Sequence, residues 1–132
     1  MIRRRSGEQS SRGQAIVEFA MIVPLFILIV MGLFDVGRAV YAYNTASNAA
    51  RAAARVAIVN QDPVAIRAEA RQQTPGLGVA DADITLGACS TWGCTFSVTV
   101  QVPYSPVTPL VGDLFNPTIA STASMPVEFE NP

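Results

Sequence analysis

The side chains able to carry chemistry in this 132-residue chain are few and of a narrow kind. There is no histidine, and all nine basic residues are arginines, so imidazole catalysis, imidazole metal sites and lysine nucleophiles are excluded. Ten carboxylates and two cysteines remain. A hydrolase would need a base and a nucleophile in one pocket, and the carboxylates form no convincing pair. We therefore predict a protein that is not an enzyme, with no cofactor and no small-molecule substrate.

Cys89 and Cys94 flank a predicted hairpin with C-x₄-C spacing. Two cysteines without histidine cannot complete a zinc site, and nothing nearby indicates the lowered thiol pKa of a redox centre. We expect a structural disulfide that contributes about 2 kcal/mol, because the loop is short. Trp92 at the tip either covers this disulfide or anchors a partner. Asp81 and Asp83 offer too few oxygens for calcium, so no metal site is predicted.

Charge is divided unevenly along the chain. Residues 1–71 contain nine arginines and five acids, a net charge of +4, whereas residues 72–132 contain five acids and no base, a net charge of −5. An acidic outer half argues against a nucleic-acid partner.

A long apolar stretch follows a basic N-terminal segment. The 20 residues from Ala15 to Phe34 contain one charge, Glu18. As a helix with a rise of ~1.5 Å per residue they span about 30 Å, the thickness of the hydrocarbon core of a bilayer. Four arginines among the first twelve residues favour a cytoplasmic N-terminus. The sequence therefore predicts a single-pass membrane protein whose remaining residues lie outside the cytoplasm, where a disulfide is the expected state.

Glu18 is the unusual residue of this stretch. A carboxylate at the centre of a membrane helix costs ~2.5–3.5 kcal/mol, and less near its end. A lone signal anchor gains nothing from it, whereas a subunit that packs beside similar subunits could. The surrounding spacing is Gly13, four residues beginning with Gln14, and then Glu18-Phe19.

This arrangement resembles the class III leader of type IV pilins and pseudopilins, in the G-x-x-x-x-E-F form of the Flp/Tad (tight adherence) branch. In that family a prepilin peptidase cuts after the glycine on the cytoplasmic face. The resemblance implies a cut between Gly13 and Gln14. It also implies that Glu18 pairs with the new amine of Gln14 in a neighbouring subunit, which fits the lower cost of paired charges in a low dielectric.

Further motifs are similar to those of the TadE-like family, minor pseudopilin-like proteins of the Tad pilus system. They are V-E-F-A-x-x-x-P from Val17 to Pro24, F-D-V-G-R from Phe34 to Arg38, and A-A-R-A-A-A-R from Ala49 to Arg55. The stretch from Val102 to Leu114 resembles the outer part of that family less specifically. The motif residues carried over are Phe19, Pro24, Asp35, Gly37 and Arg38.

The residues after the span predict an α+β fold. An alanine-rich segment continues the helix to about Val59, and Asp62-Pro63 starts a second, short helix. Strands are predicted at Ile84 to Leu86, Phe96 to Val102 and Met125 to Phe129. The first helix has one predicted packing face, made of Val36, Val40, Tyr43, Ser47, Ala50, Ala54 and Ala57. Arg51 and Arg55 lie elsewhere. They contact an acidic partner surface, form a solvated stripe, or contact the acidic half of this chain.

We thus expect a pilin-like architecture, a long N-terminal membrane helix with a small extracytoplasmic domain that contains a short antiparallel sheet. The expected organisation is a basic cytoplasmic leader (1–13), a transmembrane part (14–34), an extracytoplasmic continuation of the helix (35–60) and a small helix-plus-sheet domain (61–132).

The resemblance implies a pilus assembly subunit of the bacterial inner membrane. Its implied partners are pilin and pseudopilin subunits, the inner-membrane assembly platform, prepilin peptidase and membrane lipid. The alternative is a signal-anchored extracytoplasmic binding or scaffold module unrelated to pili.

Overall fold

One long helix, α1, carries the fold. It runs from Gly7 to Ala57 without interruption at Pro24, and its 51 residues measure about 75 Å. The computed structural model describes residues 7–89, 93–108 and 117–127, with side chains from residue 13 onward. The helix begins earlier than the predicted Ala15, because the polar residues that precede the apolar span extend an existing helix at little cost.

Two sequence-based predictions fall outside the described residues. They concern Trp92 as a partner contact and the end of the last strand at Phe129.

The second helix, α2, has the predicted position. It runs from Pro63 to Gln72, and the Asp62 carboxylate caps it by accepting a hydrogen bond of 3.0 Å from the Val64 backbone N–H. Ile66 and Ala70 are its buried residues, and they belong to the same apolar core as the inner face of α1. The predicted position of α2 is thus confirmed. The sequence was sufficient here because capping signals are local.

Within the described residues, three antiparallel strands form one sheet in the order β1-β2-β3. They are β1 (Ile84–Leu86), β2 (Thr95–Pro103) and β3 (Thr118–Pro126). β2 shows the predicted alternation, with every second side chain buried in the core. The α+β prediction, with a short antiparallel sheet after a long N-terminal helix, is confirmed.

The predicted start of the last strand, Met125, is wrong. β3 begins at Thr118 and pairs with β2 from Pro103↔Thr118 to Thr95↔Pro126. Its residues are mostly Thr, Ser and Ala, so the hydrophobic alternation in the sequence is weak. Pairing with β2 determines where this strand begins and ends.

The inner face of α1 consists of alanine. Seven alanines with at most 2% exposure pack against α2 and the sheet. They are Ala42, Ala46, Ala49, Ala50, Ala53, Ala54 and Ala57. Alanine lets the sheet approach the helix axis closely, which a larger side chain would prevent.

The predicted face is therefore right in its second half and wrong in its first. Val36, Val40 and Tyr43 are 62%, 54% and 54% exposed, because the buried face of α1 begins at Ala42 and is offset from theirs.

We expect Ala50→Leu to lower the free energy of unfolding by about 1–3 kcal/mol, because the fully buried Cβ of Ala50 leaves no room for a larger side chain. Denaturant unfolding of the detergent-solubilised full chain measures this. Asn48→Leu is the matched control on the exposed side of the same helix turn, and it should change stability little. Equal effects of the two substitutions would contradict the close packing of this face.

Candidate functional site

A carboxylate at the end of the apolar span holds the segment that follows β2. Asp35 lies on α1 one residue after Phe34, and its Oδ1 accepts a hydrogen bond from the Val107 backbone N–H at 2.8 Å. Its Oδ2 accepts hydrogen bonds from the Thr108 backbone N–H at 2.9 Å and from the Thr108 hydroxyl at 2.5 Å. Both carboxylate oxygens are therefore occupied by donors of one short segment.

The backbone of the same residue binds this segment as well. The Tyr104 hydroxyl donates a hydrogen bond of 2.6 Å to the Asp35 carbonyl oxygen. Pro103 and Pro106 restrict the backbone around Tyr104, which reduces the entropy lost when the segment is ordered. We call residues 104–108 the docking segment. Its four hydrogen bonds attach the end of β2 to α1.

The electrostatics of the site favour an ionised Asp35. The pKa of Asp35 is lowered from its ordinary 3.8, mainly by the hydrogen bond from the Thr108 hydroxyl and next by the Val107 N–H, while burial opposes the shift. The pKa of Tyr104 is raised, first because burial disfavours the phenolate and then because the Asp35 charge is near. Tyr104 is therefore a neutral donor and Asp35 a charged acceptor at neutral pH.

Arg38 lies beside this cluster but is not its main partner. Its Nη1 is 4.0 Å from Asp35 Oδ1, and its guanidinium carbon is 5.7 Å from the centre of the Tyr104 ring. At a separation of 4.0 Å, and with the Arg38 side chain half exposed, this ion pair contributes little to stability. Gly37, the residue before Arg38, has open space where a side chain would be.

Two of the motifs in the sequence thus meet in space. Asp35, Gly37 and Arg38 come from F-D-V-G-R, and the docking segment lies in the stretch from Val102 to Leu114. Sequence reasoning did not join them, since the hydrogen-bonded residues are about 70 positions apart. The only sequence signal that linked the two stretches is that both resemble the same family.

The residues predicted around the leader lie on α1. Gly13, Gln14, Val17, Glu18 and Met21 line one shallow groove on its surface. Glu18 is exposed among apolar side chains, and no cation lies within 4.0 Å of it among the side chains described from residue 13 onward. Phe19 is also exposed. The predicted processing and pairing residues therefore lie close together because they are neighbours on one surface of α1.

The remaining predicted residues are separate from both groups. Arg51 and Arg55 are exposed on α1, on the side away from the sheet. Cys89 and Cys94 form the predicted disulfide, with their Cα atoms 5.8 Å apart and Gly93 at a positive φ of 76° in the turn between them. Asp81 pairs with Arg71 at 3.2 Å, and Asp83 accepts a hydrogen bond from the Ala80 N–H, so each has a partner within the chain.

We expect Asp35→Asn to destabilise the protein at neutral pH, because the docking segment donates hydrogen bonds to a charged acceptor. The lowered pKa means that the contribution of the carboxylate is complete above its ordinary pKa of 3.8 and is lost as pH falls through the lower, folded-state value. The difference in Tm between wild type and variant should therefore shrink as the pH falls below 3.8.

Thermal unfolding of the full chain between pH 7 and pH 2 tests this. Asp81→Asn is the matched control, since it removes an exposed carboxylate whose partner is a single arginine. A Tm difference for Asp35→Asn that does not change with pH would contradict the role assigned to the charge.

The comparisons with known proteins agree with the motifs. The family model described as "TadE-like protein" matches residues 13–55, which contain Glu18, the apolar span, Asp35, Arg38 and six of the seven buried alanines. The chain matches no curated protein and no solved structure. The TadE-like family model thus matches the helix from Gly13 to Arg55, and the resemblance to that family is confirmed over this part of the chain.

Proposed function

We propose that the protein is a minor pseudopilin-like subunit of a Flp/Tad-type pilus, processed by prepilin peptidase between Gly13 and Gln14. The TadE-like match implies involvement in a Flp/Tad pilus system and a structural rather than catalytic role. Within that system we assign the protein to pilus biogenesis or priming, and hence to adhesion and biofilm formation. The observation that carries this proposal is a charged Glu18 on an exposed, apolar helix surface.

The surface around Glu18 supports assembly with other helices. α1 is long and apolar enough to cross a membrane, and the sheet domain covers none of the span. Lipid can surround its apolar side chains but cannot neutralise a carboxylate at low cost. After cleavage, the free amine of Gln14 in a neighbouring subunit would supply the opposite charge. This pair would also set the axial register, because a displaced neighbour would leave two unpaired charges.

A second observation extends the same surface beyond the membrane. Leu33, Val36, Val40 and Tyr43 follow 3-4-3 spacing along one stripe of α1, and all are exposed. At ~1.5 Å per residue, Tyr43 lies about 13 Å past Phe34, out of reach of the hydrocarbon core. Water would surround this part of the stripe in an isolated subunit. Helices of other pilin or pseudopilin subunits are the partners that would cover it.

The proposed topology has the N-terminus in the cytoplasm and the sheet domain outside it, in the bacterial inner membrane. The arginine-rich leader supports this orientation, and so does the disulfide, which persists in oxidising compartments. In this arrangement the leader faces prepilin peptidase and the assembly platform, while the sheet domain faces the growing filament.

Replacing Gly13 tests processing. We expect wild-type protein recovered from its native cells to begin at Gln14, and Gly13→Ala to keep the leader, because a peptidase that recognises glycine needs a residue without a side chain. N-terminal sequencing or intact mass measures this. Gly32→Ala, on the same helix with open space around its Cα, is the control and should be processed normally. Wild-type protein that still begins at Met1 would favour the signal-anchored module instead.

Replacing Glu18 tests the charge pair. We expect Glu18→Gln to leave membrane insertion intact and to reduce recovery of partner pilins by about tenfold, because one buried ion pair is lost. Co-purification from crosslinked membranes measures this. Glu8→Gln is the matched control, since the cut after Gly13 removes Glu8 from the mature protein. Unchanged partner recovery and piliation in Glu18→Gln would reject the pairing role.

A further inference from the structure

Two cavities meet at Arg38, just beyond the apolar span. The lower one is an open groove of about 430 Å³ along α1, lined by Val30, Leu33 and Phe34 and then by Gly37. Gly37 contributes to this groove because it has no side chain, and a Cβ there would meet nothing within 4 Å. The lower cavity is therefore an apolar channel that runs from the membrane span towards Arg38.

The upper cavity is smaller and more polar. It measures about 240 Å³ and lies between α1, the turn after α2 and the end of β2. Ser105 and Tyr104 contribute polar atoms to its wall, and none of its lining residues is acidic. Arg38 and Tyr41 line both cavities, so the two spaces adjoin at these side chains.

Arg38 has hydrogen-bonding capacity to spare. Its guanidinium is 4.0 Å from an Asp35 carboxylate whose oxygens already accept three hydrogen bonds. Among the described residues, no acceptor lies within hydrogen-bond distance of the guanidinium, and the side chain is 53% exposed. An arginine in this state can bind a phosphate with two parallel hydrogen bonds.

We propose that these two cavities bind one phosphatidylglycerol molecule of the extracytoplasmic leaflet, with its phosphate on Arg38. An acyl chain would lie in the groove over Gly37, and the glycerol headgroup would occupy the upper cavity beside Ser105. Arg38 is four residues past Phe34, about 6 Å along the helix, which is the depth of lipid phosphates. An uncharged headgroup fits better than a cationic one because the upper cavity has no acidic lining. The site depends on the membrane insertion of α1 assigned above.

Native mass spectrometry of the full chain, released from detergent micelles that contain phosphatidylglycerol, tests this site. The comparison lipid is a diacylglycerol with the same acyl chains, which lacks only the phosphate and headgroup. We expect one retained phosphatidylglycerol per wild-type chain and about tenfold lower retention of the diacylglycerol, since hydrogen bonds to a charged group are lost. Equal retention of the two lipids would overturn the proposal.

Two substitutions separate the phosphate contact from the groove. Arg38→Gln should lower phosphatidylglycerol retention to the level of diacylglycerol, and Arg38→Lys should have an intermediate effect because lysine lacks the planar fork. Gly37→Leu should reduce retention of both lipids by filling the groove, since a Cβ at this position meets nothing within 4 Å. Arg51→Gln is the matched control, with the same charge change on an exposed part of α1.

The outcomes distinguish this site from the proposed pilus role. Extraction of membranes at alkaline pH first establishes insertion, and protein released into the supernatant would overturn both. Glu18→Gln should retain the lipid even where it loses partner pilins, so the two proposals fail independently. If Gly37→Leu lost partner pilins but kept phosphatidylglycerol, a helix rather than a lipid would occupy the groove, and the lipid site would be rejected.

Discussion

A single helix must satisfy two environments, and the rest of the structure follows from this constraint. Between residues 14 and 34 the side chains of α1 are mostly large, apolar and exposed, a composition that suits a membrane anchor. From Ala42 to Ala57 its inner face is reduced to alanine, because there the surrounding medium is the protein's own sheet. The change in side-chain size along one continuous helix thus determines where the folded domain can pack.

Asp35 marks the boundary between these two parts of the helix. Its carboxylate and carbonyl groups together accept four hydrogen bonds from the docking segment, which fixes the end of β2 next to the end of the span. Movement of the span relative to the sheet would break these bonds together. The domain is therefore attached to the helix by apolar packing at one end and by a charged hydrogen-bond cluster at the other.

The same geometry accounts for the two surfaces to which we assign binding. Docking of the segment beside Asp35 brings Tyr104 and Ser105 close to Arg38, which forms the upper cavity. Packing of the sheet on the alanine face leaves the stripe through Val40 and Tyr43 uncovered. In the proposed role, lipid and neighbouring helices therefore occupy adjacent faces of α1 that share Leu33.

Much of this protein is determined by sequence alone, where the controlling interactions are local. The length and apolarity of the span, the cap of α2 at Asp62, the alternation in β2 and the pairing of Cys89 with Cys94 all depend on residues close together in the chain. The TadE-like resemblance likewise rests on contiguous motifs in the helix.

Only the tertiary structure decided the extent of β3, the face of α1 that is buried, and the attachment of the docking segment to Asp35. The small, polar residues of β3 have little hydrophobic pattern of their own, so pairing with β2 defines that strand. Several faces of an alanine-rich helix are equally suitable for packing until a sheet covers one of them. Asp35 and Thr108 are 73 residues apart, and no local pattern encodes a hydrogen bond that forms only after the whole domain has folded.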